Sequence, residues 1–222
     1  IQLGLNFEDK PTVTSIEELF GTKNRVTGTQ LGRIAMNALN LNPVPVAWEE
    51  TLDGLKQGLI DGAETWASAV AYANMSPVVS QSVHLNFFCG TEHTAKSASV
   101  FDSLEGYLQD AVMESSYWAQ THVQAANEVA LINTVGQSDP QLPNTIFAQN
   151  NVRNAFLSPE EIRKAEEMCS PEFQPALWEE WRERLNGWSG GLDTYQEIYD
   201  EVRTIDADTL PENVEPRRWW KG

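Results

Sequence analysis

Residues 23–62 repeat one pattern twice: a short β-prone run, then apolar residues at helical spacing. Residues 23–27 (KNRVT) read as a strand. Leu31, Ile34, Ala35, Ala38 and Leu39 then fall at i, i+3, i+4, i+7 and i+8, which predicts an amphipathic helix ending near Asn40. Residues 42–48 (NPVPVAW) are extended again, and their two prolines, each lacking an N–H donor, belong at a sheet edge. Leu52, Leu55, Leu59 and Ile60 mark a second helix, with Gly62 placed to stop it. Strand, helix, strand, helix in so few residues predicts parallel strands joined by crossover helices. The fold class is α/β.

The rest of the chain shifts from strand to helix. Before residue 23, Ser15 precedes a short acidic helical turn as an N-cap would. Residues 83–88 (VHLNFF) and 96–101 (KSASVF) read as two more strands around a polar connection. A long helix is predicted from about 102 to 133, carrying Leu104, Leu108, Val112, Ala119, Val123 and Val129. Gly136 opens a loop that lasts to about 151. Ser158-Pro159-Glu160-Glu161 has an N-cap serine, proline at the first helical position and glutamate at the third, a capping-box pattern. Ser170-Pro171-Glu172 begins another helix, with Phe173, Leu177, Trp178 and Trp181, and a third spans about 193–203. Residues 211–222 (PENVEPRRWWKG) are extended and proline-broken.

Charge excludes some partners. Lys and Arg total 15 against 32 Asp and Glu, a net charge of −17. Such a surface repels phosphate backbones and anionic headgroups, so neither nucleic acid nor a membrane surface is an expected partner. An anionic ligand would have to meet a local positive group. No apolar run reaches the ~18 residues of a membrane span, so no direct membrane insertion is expected. The opening IQLGLNFEDK has no signal-peptide pattern, as in a mature form or a fragment. Two cysteines, Cys89 and Cys169, fit no metal framework, and a disulfide and two thiols stay equally open.

Enzyme motifs fail on context. Gly187-Trp188-Ser189-Gly190-Gly191 matches G-x-S-x-G, but the preceding WEEWRERLN is helical where a nucleophile elbow needs a strand. His84, His93 and His122 all precede that serine. Its glycines read better as a helix end and turn. His84, Cys89, Glu92 and His93 match no standard metal spacing, and along a strand His84 and Cys89 would face opposite sides. There is no phosphate loop, no H-E-x-x-H and no dinucleotide fingerprint, so no cofactor and no metal is expected.

One ordered set of motifs is more specific. Lys23-Asn24-Arg25-Val26, then a helix, Asn42-Pro43-Val44-Pro45, a second helix, and Gly58-Leu59-Ile60-Asp61-Gly62-Ala63-Glu64 follow one another, and residues 97–112 (SASVFDSLEGYLQDAV) come later. Over about residues 11–135 this order resembles the extracytoplasmic solute receptors of tripartite ATP-independent periplasmic (TRAP) transporters, the DctP-type family. The resemblance implies a periplasmic-binding-protein-like clamshell of two α/β lobes that closes on a small carboxylate or zwitterion and presents it to membrane permease subunits. It implies a periplasmic location and no chemistry on the ligand. A full member carries roughly one more domain, on the order of 100 residues, ahead of Ile1. The first lobe is therefore expected to be largely missing. The expected organisation is a ligand-binding lobe over 1–90, hinge-crossing strands and a long helix over 91–150, and a helical C-terminal region over 151–222.

Site residues follow from the same resemblance. Arg25 matches the family's carboxylate-binding arginine, whose planar fork meets both oxygens of an anion; on its residues alone it reads as a surface strand position. Where the family often has Gln-Glu-Asn-Pro, this chain has Ala63-Glu64-Thr65-Trp66. Thr65 stands where an amide touches ligand and Trp66 replaces proline, a departure that favours a different or partly cationic ligand. Glu64 reads as structural, and Glu92 and His93 as a turn at the lobe crossing. Two alternatives compete: a small-molecule enzyme using Glu64, Glu92 or His93, and a helical interaction module built on the Trp-rich tail (Trp178, Trp181, Trp188, Trp219, Trp220).

Overall fold

A computed structural model of the 222-residue chain describes residues 2–7, 10–86, 94–205 and 220. Contacts group the chain into two units, residues 1–90 with 131–197, and residues 91–130 with 198–222. The first holds a six-stranded sheet made of β1 (Gln2–Leu5), β2 (Lys23–Val26), β3 (Asn42–Pro45), β4 (Gly62–Thr65), β5 (Gln81–His84) and β6 (Arg153–Phe156). Their order across the sheet is β3-β2-β4-β1-β5-β6. β2 pairs in parallel with β3 and β4, β5 in parallel with β6, and β1 antiparallel with both β4 and β5. Five strands therefore share one direction and β1 alone opposes them. Their carboxyl ends line a single edge.

The predicted α/β repeat is present. β2 leads through α1 (Gln30–Ala38) to β3, and β3 through α2 (Thr51–Lys56) to β4. The proline-bearing β3 is an edge strand, where missing N–H donors cost no ladder bonds. Helices cover both faces of the sheet. On one, Leu3, Leu5, Val26, Val83 and Ala155 pack against Ile16 and Leu19 of a 3₁₀ turn (Ile16–Leu19), Met36 and Leu39 from α1 and its end, and Ala165 and Cys169 of α7 (Pro159–Cys169). On the other, Leu55, Val70 of α3 (Ala67–Tyr72), Val79, Val135, Phe147 of α6 (Ile146–Gln149) and Val152 form a second cluster. β4 is buried at all four positions, as a strand covered on both faces must be.

Several expectations need correction. Residues 96–101 are not a strand: Ala98–Asp102 is a helix, α4, with Ser97 at its N-cap position. Among the described residues the β-prone Val100 and Phe101 there have no ladder to join, and Val100 is exposed. Gly62 does not stop the second helix. Gly58, at φ +68°, takes the left-handed turn that ends it, and Gly62 opens β4. The long helix α5 runs Gly106–Ala130, with a π turn at Leu131–Val135 after it in sequence. The helix expected from residue 170 begins at Pro175 and runs to Trp188 (α8), and α9 is Thr194–Val202. Gly190 and Gly191, both at positive φ, follow α8 as the turn predicted for the G-x-S-x-G match. β1, β4 and β6 were not foreseen.

Two local devices are tested by substitution. Ser158 accepts from the Glu161 N–H at 3.2 Å, but Glu161 does not return the bond: it accepts from Ile16 N at 2.8 Å and Lys164 Nζ at 2.5 Å, tying α7 to the 3₁₀ turn. Lys164 first, then the Ile16 N–H, hold the Glu161 carboxyl below the usual carboxylate range. A depressed folded pKa stabilises fully above the unfolded value of about 4.3 and is lost as pH falls through the lower folded value. Glu161→Gln keeps an acceptor for Ile16 but not the charge. In denaturant titrations its deficit relative to wild type at pH 7 is therefore expected to narrow steadily below about pH 4.

Gly62 is confined by its neighbours. A Cβ there would press on Leu5 Cδ2, lie 2.5 Å from Asn24 Oδ1 and 2.8 Å from the Gly4 carbonyl oxygen, which belongs to the adjoining strand. Gly62→Ala is expected to cost about 1–3 kcal/mol by overpacking, read from the shift in the denaturation midpoint.

Candidate functional site

At the carboxyl edge of the sheet, β2 and β4 lie side by side, with Asn24 opposite Gly62 and Arg25 opposite Ala63. Side chains alternate along a strand, so Arg25 and Thr65 share one face and Glu64 springs from the other. The last residues of both strands bring all three to the same rim. Loops beyond the carboxyl ends of parallel strands are where α/β sheets bind their ligands.

Arg25 is 5 % exposed. Its Nε donates to the Val46 carbonyl at 3.1 Å, and its guanidinium lies 5.3 Å from the centre of the Trp48 ring. Among the described residues no other acceptor takes a hydrogen bond from it, so both Nη groups keep their donors. Burial pulls its pKa down, and Glu64 and then Glu49 pull it back. The group stays charged, since an arginine is protonated throughout the working range of proteins.

Glu64, 7 % exposed, has no hydrogen bond and no ion pair within 4.0 Å among the described residues. Burial pushes its carboxyl above the usual range, and Arg25 draws it back. From sequence it reads as structural, through a bond to backbone or a hinge group, and no such bond is present among the described residues. Thr65 is 3 % exposed and its hydroxyl is likewise uncommitted. Trp66 is 47 % exposed and sits at the N-cap position of α3, between β4 and that helix. Trp48, 37 % exposed, was missed by the sequence reading. It follows the Pro-x-Pro run within three residues, and that adjacency was the available signal.

Glu92 and His93 lie outside the described residues, as do Cys89, Arg217, Arg218 and Trp219. His84, at the carboxyl end of β5, is a buried imidazole held between Asn154 Oδ1 at 3.3 Å and Gln137 Nε2 at 3.2 Å, and stacked on Phe156 at 4.0 Å. Burial lowers its pKa to about 4, so it is neutral at pH 7. Since Gln137 Nε2 donates to Nδ1, Nε2 carries the proton. Cys169 is a buried free thiol pushed up to about 11 by burial and then Glu166. Among the described residues no group of three or more His, Cys, Asp or Glu is placed to hold a metal, and no helix is long and apolar enough to cross a membrane.

A cavity of about 560 Å³ opens on the opposite face of the sheet, lined by Leu31, Ala35, Ile162, Trp178, Trp181 and Leu185 among others. It includes neither Arg25 nor Thr65. Its charged Arg182 is already paired with Asp193 at 2.5 Å. Its other charged lining residue, Glu166, is an anion, whereas the buried cation with donors to spare is Arg25 at the strand ends.

A mixed sheet with helices on both faces, with five of its strands ending at one edge, is an α/β architecture of the kind that binds ligands beyond its strand ends. The family model of bacterial extracellular solute-binding proteins, family 7 (DctP), matches residues 5–174, and the chain belongs to that family. The match reaches beyond residues 11–135, where the motifs were legible. A solute-binding protein of Roseobacter denitrificans is 29% identical over 120 residues, which are 53% of this chain and 36% of that protein. The TRAP periplasmic solute binding protein of Ochrobactrum anthropi, solved with its C-terminus in the ligand-binding pocket, aligns over 93% of this chain and 59% of its own, with 19% identity and a TM-score of 0.62. That of Desulfovibrio salexigens, with bound orotic acid, aligns over 92% and 60%, at 17% identity and a TM-score of 0.60. The chain thus spans about a third of the curated relative and three fifths of these two structures. Its fold is that of the two-lobed TRAP binding proteins, covered in part. The family is one of solute binding, not of catalysis.

Proposed function

We propose that this chain is the solute-binding component of a TRAP transporter, that it works in the periplasm, and that it grips the carboxylate of a small organic acid or zwitterion through Arg25. One observation carries the reading: a guanidinium 5 % exposed, steadied by the Val46 carbonyl and the Trp48 ring, with its Nη donors free. Burying an ion is costly unless something pairs with it. A carboxylate entering beyond the strand ends supplies the partner, and the rigid fork fixes its orientation.

Thr65 offers a hydroxyl on the same face, and Trp66 and Trp48 offer flat walls to the body of the ligand. The bound orotic acid of the Desulfovibrio salexigens protein, a flat carboxylate, supports this chemistry. Ligand contacts shared with a second lobe would close the clamshell by differential binding to the closed state. The loaded protein would then dock on membrane permease subunits. Calorimetric titration of the chain with mono- and dicarboxylates tests the reading. Saturable heat from at least one is expected; no saturable heat from any would contradict it.

A further inference from the structure

We infer that the cavity of about 560 Å³ on the far face of the sheet is a second ligand site, one that takes a neutral, flat and largely apolar molecule. The site is separate from Arg25 and does not depend on the carboxylate reading. Its walls come from α1, α7, α8, the start of α9 and the residues after β5 and α7, all within one compact unit.

Side chains shape this space. Trp178, Trp181 and Leu185 fall at i, i+3 and i+7 of α8, the spacing of a helix face turned to a core. Trp178 is buried, yet Trp181 and Leu185 stay half-buried and line the cavity together with Leu31 of α1 and Ile162 of α7. Beneath them α1 and α7 present Ala35 and Ala165, small residues where larger ones would fill the gap. Protein interiors close-pack and leave few voids larger than a water molecule. A cavity of this size instead falls in the range of about 300–1,000 Å³ that small-molecule sites occupy.

The polar groups of the lining set the class of ligand. Arg182 is closed on Asp193 at 2.5 Å and lies over the Tyr195 ring at 4.8 Å. Trp178 Nε1 donates to the Cys169 carbonyl at 2.7 Å. The Cys169 thiol is buried, and its pKa of about 11 keeps it neutral. Asn86 and Glu166 are exposed to solvent. An ion entering this space would lose its water and find no buried partner of opposite charge, which is costly. Two indoles and a phenol ring offer flat apolar walls that suit an aromatic ligand. Ser170 adds one buried hydroxyl with no hydrogen-bond partner among the described residues, which leaves room for a single neutral polar group.

Three probes of nearly one shape separate charge from fit: 2-acetylnaphthalene, the anion 2-naphthoate and the cation 1-(2-naphthyl)ethylammonium. In equilibrium dialysis against the full chain carrying Arg25→Ala, which removes the anion site, the neutral ketone is expected to bind at least roughly tenfold tighter than either ion. Wild type should bind the ketone with the same affinity. Leu185→Trp and Leu31→Trp fill the cavity from half-buried and half-exposed positions on opposite walls, and each is expected to weaken the ketone by roughly tenfold with little change in the unliganded thermal midpoint. Failure of the ketone to bind, an ion that binds as tightly, or affinity that survives both tryptophan variants would overturn the inference. So would affinity that falls as protein concentration rises, because a second copy of the chain would then be filling the space. None of these outcomes touches the carboxylate reading at Arg25, which calorimetry with carboxylates tests separately.

Discussion

Replacing Arg25 with alanine is expected to weaken carboxylate binding by two orders of magnitude or more, while the unliganded protein stays folded. The two contributions differ because the guanidinium holds little of the fold together. Among the described residues its one hydrogen bond goes to the Val46 carbonyl, and its aromatic contact is with the partly exposed Trp48. Burying it costs stability rather than supplying it. To a ligand it offers two Nη groups, and charge-assisted hydrogen bonds are worth roughly 1.5–3 kcal/mol each. Losing two removes about 3–6 kcal/mol, and each 1.4 kcal/mol is tenfold in affinity. Arg25→Lys retains the charge but not the planar fork, and a loss of roughly tenfold is expected. Thermal shift reads both quantities together. The unliganded midpoint should stay near wild type, and the ligand-induced rise should vanish in the alanine variant. A variant that still responds to ligand would remove Arg25 from the site.

The largest effect on stability is expected at Phe147. It is fully buried, and it plugs the cluster formed by Val135, Val152 and the helices on the Arg25 face of the sheet. Thr145 caps the short helix that carries it, accepting from the Ala148 N–H at 3.4 Å. Four residues cannot hold a helix alone, so the ring anchors the turn as well as filling space. Phe147→Ala should cost about 3–5 kcal/mol, from lost transfer energy and the cavity left behind. Against a total of about 5–15 kcal/mol for a typical domain, that is a large share. A fall of roughly 10 °C in Tm is expected. Phe147→Leu keeps most of the volume and should cost less than half as much. A small effect from the alanine variant would mean that α6 lies outside the cooperative core.

Sequence periodicity exposed the middle of the fold well and its margins poorly. β2, α1, β3 and α2 were legible because each carries its own local signal: a β-prone run, a 3.6-residue stripe, a proline pair. β4 was hidden. Gly-Ala-Glu-Thr has no β-branched run and no alternation, and becomes a strand because β1 and β2 flank it and both faces are covered. β1 and β6 are likewise made by partners distant in sequence, Gln81 of β5 pairing with Arg153 across more than seventy residues. Residues 96–101 erred the other way. Val100 and Phe101 gave a β signal, and among the described residues no neighbouring strand satisfies it.

The site was legible only in part, for a similar reason. Arg25 on its own looked like a surface strand residue, and the ordered motifs were what singled it out. Its burial and free donors depend on Val46 and Trp48, twenty-odd residues away, which no local pattern connects to it. Glu64 read as structural from the sequence. Its lack of a hydrogen-bond partner among the described residues is a fact of three dimensions.

Ligand capture as proposed rests on a single guanidinium closing on an anion at the strand ends. A crystal structure of the chain with a carboxylate that saturates in calorimetry tests it directly. Two Nη-to-oxygen contacts of about 2.7–2.9 Å at Arg25 are predicted. A ligand carboxylate bound elsewhere, with Arg25 still turned to Val46 and its Nη groups unfilled, would contradict it.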